Sequence, residues 1–185
     1  MGAFYVNYTV KGTDQNSVVR ALSGRKAFVT PEWNGFTVVF DEESDKQDQG
    51  AIAKLAGQLS SDLRSTVLAL LIHDSDIFWF QLYECGMLTD EYNSAPSYFS
   101  TNTGMAPPKG GNAERLCSAF QCKDVAKVER ILRASYEEYP FAGDRHADLV
   151  RVLNLPTYAV GYGFRAVALE YLPEGLSAED FVATN

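Results

Sequence analysis

The chain has 185 residues and a mass of 20.4 kDa, with 46% hydrophobic and 12% aromatic residues, which excludes a disordered chain and allows one full core or a core with a satellite. Its net charge is −8, and positions 1–100 hold thirteen acidic against seven basic side chains. No run of Lys or Arg supplies a basic patch, which argues against nucleic acid and anionic membranes as partners and leaves a protein with a basic surface as the kind such a field would steer.

Residues 4–10 alternate, Phe4, Val6, Tyr8 and Val10 against Tyr5, Asn7 and Thr9, which is the period of a strand. Lys11-Gly12-Thr13-Asp14 breaks the pattern, and Val18, Val19 and Leu22 give a short helical face closed by Gly24. Residues 26–30 and 36–40 flank Asn34-Gly35, a pair suited to the two positive φ angles of a type I′ hairpin turn. The acidic link 41–48 is expected to be a solvated loop. It leads into a helix with Ile52, Leu55, Ala56, Leu59 and Leu63 on one stripe.

Residues 67–72 and 77–80 are apolar at every position, so these strands are expected to be covered on both faces, by the C-terminal half or by a second copy of the chain. A third strand follows at 87–92. Residues 93–112, dense in Ser, Asn, Gly and Pro, form a long connection. Helices are predicted at 113–121, 125–134 and 143–153, with Asn112 and Asp124 as N-caps. Residues 157–172 (TYAVGYGFRAVALEYL) read as one or two strands.

The predicted class is therefore α+β. A mostly antiparallel sheet with a ferredoxin-like βαββαβ start is extended by a β-meander, and a helical C-terminal half ends in one or two strands. Residues 1–99 make an α/β sandwich-like lobe, 100–112 a connecting loop, and 113–185 a helical lobe packed on the sheet, together one compact domain.

Three cysteines, Cys85, Cys117 and Cys122, lack zinc-ligand spacing, and Cys117 on an apolar helix face behaves as a buried thiol. A reduced, cytoplasmic setting is the simplest expectation. The N-terminus has no signal-peptide pattern, and Val6 stands where myristoylation wants Ser or Thr. No apolar run approaches the ~20 residues of a membrane span.

The turn His73-Asp74-Ser75-Asp76 is the first candidate site. An imidazole beside carboxylates can bind a divalent cation or act as an oriented general base, whereas a polar hairpin tip needs the same residues for its own backbone. Asp90, on the next strand, can join that end of the sheet only if the meander folds so. Tyr98 and Phe99 enter the loop and can serve as an exposed anchor. Asp144-Arg145-His146 opens the third C-terminal helix, with His146 on the same side as Leu149, Val150 and Leu153. Nucleophile, P-loop and zinc-protease motifs are absent. Gly161-x-Gly163 lacks the helix signature of a phosphate fingerprint.

The segments IFWFQLYECGMLTDEYNSAPSYF (77–99), AGDRHADLVRVLNLP (142–156) and YLPEGL (171–176) resemble a group of bacterial proteins with no assigned activity. The likeness runs over nearly the full chain and implies a bacterial protein, with no function transferred. The leading expectation is a non-catalytic protein-binding or regulatory module without cofactor or metal, with a homodimer as one way to cover the sheet. The alternative is a small hydrolase or metal-dependent enzyme using His73, Asp74 and Asp76.

Overall fold

The computed structural model describes residues 2–100 and 106–185; positions 101–105 of the predicted connection lie outside the described residues. The first elements are β1 (Tyr5–Lys11), α1 (Gln15–Ala21), β2 (Ala27–Val29), β3 (Phe36–Asp41), α2 (Gln49–Asp62), β4 (Thr66–His73), β5 (Ile77–Glu84) and β6 (Met87–Asn93). Next come β7 (Lys109–Gly110), α3 (Ala113–Phe120), α4 (Val125–Arg133), α5 (Ala142–Val152), α6 (Phe164–Ala168) and β8 (Val182–Thr184). The strands form one sheet in the order β7-β6-β5-β4-β1-β3-β2-β8 with every neighbouring pair antiparallel.

Local chemistry sets the boundaries. Asp14, Asp48, Asn112 and Asp124 each accept a backbone N–H three residues on, capping α1, α2, α3 and α4. Asn34 and Gly35 take φ of 50° and 81°, and Trp33 and Phe36 exchange backbone hydrogen bonds across them, so the β2–β3 hairpin closes as its sequence predicts.

The sheet is covered on both faces by its own chain. On β4, Val67, Ala69 and Leu71 join Ile52, Leu55 and Leu59 of α2 in one apolar cluster. Leu68, Leu70 and Ile72 face the other way, into a cluster with Leu116 of α3, Leu132 of α4 and Leu149 of α5. Burial of each such side chain stabilises the fold by about 1.5–3 kcal/mol. This double cover also reaches β1, where Tyr5, Asn7 and Thr9 are buried with Val6, Tyr8 and Val10; Asn7 is satisfied by donating to the carbonyls of Ala159 and Tyr162.

Residues 157–172 depart from their predicted strands. Thr157–Ala159 form a 3-10 turn and Phe164–Ala168 form α6, while the terminal strand β8 lies further on and pairs with β2. Phe164, Val167 and Ala159 pack on Val38 and Phe40, so a groove on the sheet, rather than intrinsic strand preference, decides their form. Cys117 is also not the free thiol expected: a disulfide joins it to Cys122 across the C-terminal turn of α3. Among the described residues no helix is long and apolar enough to cross a membrane.

Candidate functional site

The β4–β5 hairpin tip gathers most of the predicted site residues. Asp74 and Ser75 take φ of 50° and 63°, and the Asp76 N–H donates to the His73 carbonyl at 3.0 Å, which is a tight turn with two left-handed residues. The carboxylates do not serve the turn's own backbone. Ser75 instead ties the tip to distant segments: its N–H donates to the Ala3 carbonyl, its hydroxyl accepts from the Ala3 N–H, and its carbonyl accepts from Ala142 at the start of α5. The tip is therefore held in place from two sides.

His73 stands on the face of the sheet covered by α2. The Gln47 side chain donates through Nε2 to the Ile72 carbonyl, which turns its Oε1 toward His73 Nδ1 at 2.6 Å. An amide oxygen only accepts, so Nδ1 is the donor in this contact. Three aromatic rings stand edge-on to the imidazole, Phe4 at 5.0 Å, Phe99 at 5.3 Å and Tyr98 at 6.0 Å between centroids. Phe4, Asp45, Gln47, His73, Ile77 and Phe99 line a shallow cavity of about 420 Å³. The Tyr98 hydroxyl lies 3.4 Å from an Asp74 carboxylate oxygen and 3.3 Å from one of Asp76.

The other candidates divide. Asp90 pairs with Leu82, five residues along β5 from Ile77 and so about 17 Å from the tip. It accepts from the Asn112 and Glu91 N–H groups, and burial raises its carboxyl above the usual range; its role is to join β6 to the start of α3. Asp144 is exposed on the first turn of α5, while Arg145 and His146 are buried. His146 belongs to the opposite face of the sheet from His73: its Nδ1 meets the Tyr5 hydroxyl at 2.9 Å and its ring stacks on Phe78. The two histidines do not meet.

Arg145 donates from Nη1 to the Tyr92 hydroxyl and the Ile131 carbonyl, and from Nη2 to the Ala134 carbonyl, under the Tyr139 ring at 4.9 Å. It closes the C-terminal end of α4, whose last carbonyls have no partner within the helix. Asp76 and Arg145 border a common cavity of about 330 Å³, together with Glu137 and Tyr139.

The acidic link is in part the solvated loop expected, with Glu42, Glu43 and Asp48 exposed and Asp48 capping α2, but Asp41 and Asp45 are turned to the chain's own use. Asp41 is buried, takes a bidentate bond from Arg25, and accepts from the Ser44 hydroxyl and N–H. Asp45 accepts from the Arg165 N–H at the start of α6, so a carboxylate of the chain itself occupies the helix start that follows Gly161-x-Gly163. Burial raises the Asp45 carboxyl above the usual range, and its Oδ1 has no hydrogen-bond partner among the described residues.

The tip presents one imidazole, two carboxylates and three aromatic rings. Among the described residues no hydrogen bond joins His73 to a carboxylate, and no group of three or more His, Cys, Asp or Glu side chains is placed to hold a metal ion. What it offers is exposed aromatic area on a pinned backbone. Sequence reasoning missed Phe4 and Gln47. Phe4 looked like one more position of an alternating strand, and no local pattern brings Gln47 to His73. No protein-family model, no curated protein and no solved structure matches the chain.

Proposed function

We propose that the protein is a non-catalytic protein-binding module and that the hairpin end formed by Phe4, His73, Tyr98 and Phe99 is its contact surface. One observation carries this reading: Phe4, Tyr98 and Phe99 are 53%, 40% and 74% exposed yet assembled around a single imidazole. Exposed aromatics cost hydration free energy; of the roughly 150–250 Å² of such a side chain, the exposed share remains for burial against a partner at a small entropic cost. Grouped around a hairpin tip tied down at Ser75, they have the makings of a binding hot spot. Among the described residues, the other exposed aromatic rings, Trp33, Tyr136, Phe141 and Tyr171, make no ring contact with one another.

Two finer readings belong with the proposal. The order β4-β1-β3-β2, with α1 and α2 on one face, supports a ferredoxin-like plan for the first six elements. The bacterial, cytoplasmic setting rests on the sequence resemblance and cysteine usage, and the Cys117–Cys122 disulfide stands against its reduced character.

The test is affinity capture from the native host with the wild-type chain and a Phe4→Ser/Phe99→Ser variant, quantified by mass spectrometry. The variant is expected to keep the wild-type thermal midpoint within about 2 °C, since surface substitutions move stability by under about 0.5 kcal/mol. It is also expected to lose more than about 90% of the specifically captured protein, an effect of about 1.4 kcal/mol or more. Equal capture by both chains would refute the reading.

A further inference from the structure

We infer that the segment seated on this surface carries a lysine or arginine beside an apolar residue. The inference rests on the protein-binding reading above and specifies its partner. Asp74 and Asp76 flank the aromatic cluster, both within reach of the one Tyr98 hydroxyl, so two carboxylates converge beside an aromatic ring. Asp144 adds a third on the first turn of α5, whose N-terminus is pinned to the same tip through Ala142 and Ser75. Phe141, 60% exposed, stands next in the chain to Ala142, which is bonded to the tip.

Among the described residues none of these three acids is in an ion pair. Other exposed acids are unpaired too, among them Glu32, Asp62, Glu114 and Glu174; what sets the tip apart is that two carboxylates converge there beside exposed aromatic rings. Arg145, which borders a cavity with Asp76, is buried and spent on the carbonyls at the end of α4. The charge at the tip is thus left for an incoming group. A guanidinium or ammonium placed between Asp74 and Asp76 gains both carboxylates and the face of Tyr98 or Phe99, while its apolar neighbour covers the other rings. An acidic segment, or a phosphate-bearing one, meets the same carboxylates as repulsion.

The experiment titrates the 15N-labelled chain with two blocked pentapeptides that differ only in charge, acetyl-Gly-Arg-Trp-Arg-Gly-amide and acetyl-Gly-Glu-Trp-Glu-Gly-amide. The basic peptide is expected to shift amides of residues 73–76, 98–99 and 141–144, and to bind at least about fivefold more tightly than the acidic one. An Asp74→Asn/Asp76→Asn variant is expected to abolish that preference. Asn tolerates the left-handed backbone at position 74, and an unchanged thermal midpoint shows that the turn is intact. Equal or stronger binding of the acidic peptide overturns the inference, as do basic-peptide shifts that lie elsewhere or a preference that survives in the variant. Host capture by the Asp74→Asn/Asp76→Asn chain separates the two levels. If it matches wild type while Phe4→Ser/Phe99→Ser loses the partner, only the charge inference fails; if both variants match wild type, the binding reading fails with it.

Discussion

Replacing Arg145 with Met is expected to destabilise the protein by about 3–5 kcal/mol, measured by urea denaturation at constant pH with tryptophan fluorescence. The side chain is 3% exposed and forms no ion pair among the described residues; its charge is compensated by carbonyls and by the Tyr139 ring. Those carbonyls belong to the end of α4, where the backbone has unsatisfied acceptors and the negative end of the helix dipole. Methionine fills similar volume, so the loss isolates the hydrogen bonds from the packing. The Tyr92 hydroxyl keeps its own bond to the Leu132 carbonyl in the variant, which limits the damage to the acceptors of Ile131 and Ala134. Lysine at this position is expected to recover only part of the loss, because it brings a point charge without the guanidinium fork. A loss below about 1 kcal/mol would mean that water from the adjoining cavity takes over the freed carbonyls.

The second large effect is a pH dependence set by His146. Burial, with no charged partner, pushes its imidazole down to about 3 in the folded protein. The unfolded chain protonates the same ring near its ordinary value of about 6.5. Between these values the unfolded state binds more protons, so the stability is complete above about pH 6.5 and falls as pH drops toward 3. The slope is about 1.4 kcal/mol per pH unit. A His146→Gln variant can still accept from the Tyr5 hydroxyl and lacks this titration. The wild-type stability, measured from pH 7 to pH 4, is expected to fall more steeply than that of the variant by about this slope, with His73 and the carboxylates common to both. Parallel curves would show that the imidazole is open to water.

Much of the fold was legible because burial writes itself into periodicity. The unbroken apolar run at 67–72 demanded two covers, and the two clusters on β4 supply them from within one chain, with no second copy required. Asn34-Gly35 announced its turn because few residues accept two positive φ angles. The helices at 113–120 and 125–133 followed from their caps and stripes, and that at 142–152 from its stripe alone. What escaped notice was decided over long distances. Tyr158 and Phe164 carry strand-like composition but answer to the groove over Val38 and Phe40. Three residues of β8 pair with a strand more than 150 positions earlier, with too short a run for any period. Arg145 stands in the sequence only as one of the trio 144–146, because only the placement of α4 shows where its donors go.

The site was legible in half. The turn 73–76 and the aromatic pair at 98–99 were visible as local chemistry, and the structure brings them together. The pairing of His73 with Gln47 rather than with a carboxylate, and the arrival of Phe4 from the start of β1, depend on tertiary contacts between segments with no pattern in common. The proposed role of this end in recognition rests on those contacts.

Site-specific photocrosslinking in the native host tests this most directly. A photoreactive phenylalanine analogue is placed at position 4 or 99 and, for comparison, at position 88 or 171, where Leu88 and Tyr171 are also exposed. A discrete heavier species from positions 4 and 99, with none from 88 and 171, is the result this account predicts. Crosslinks from 88 or 171 with none from 4 and 99 would contradict it.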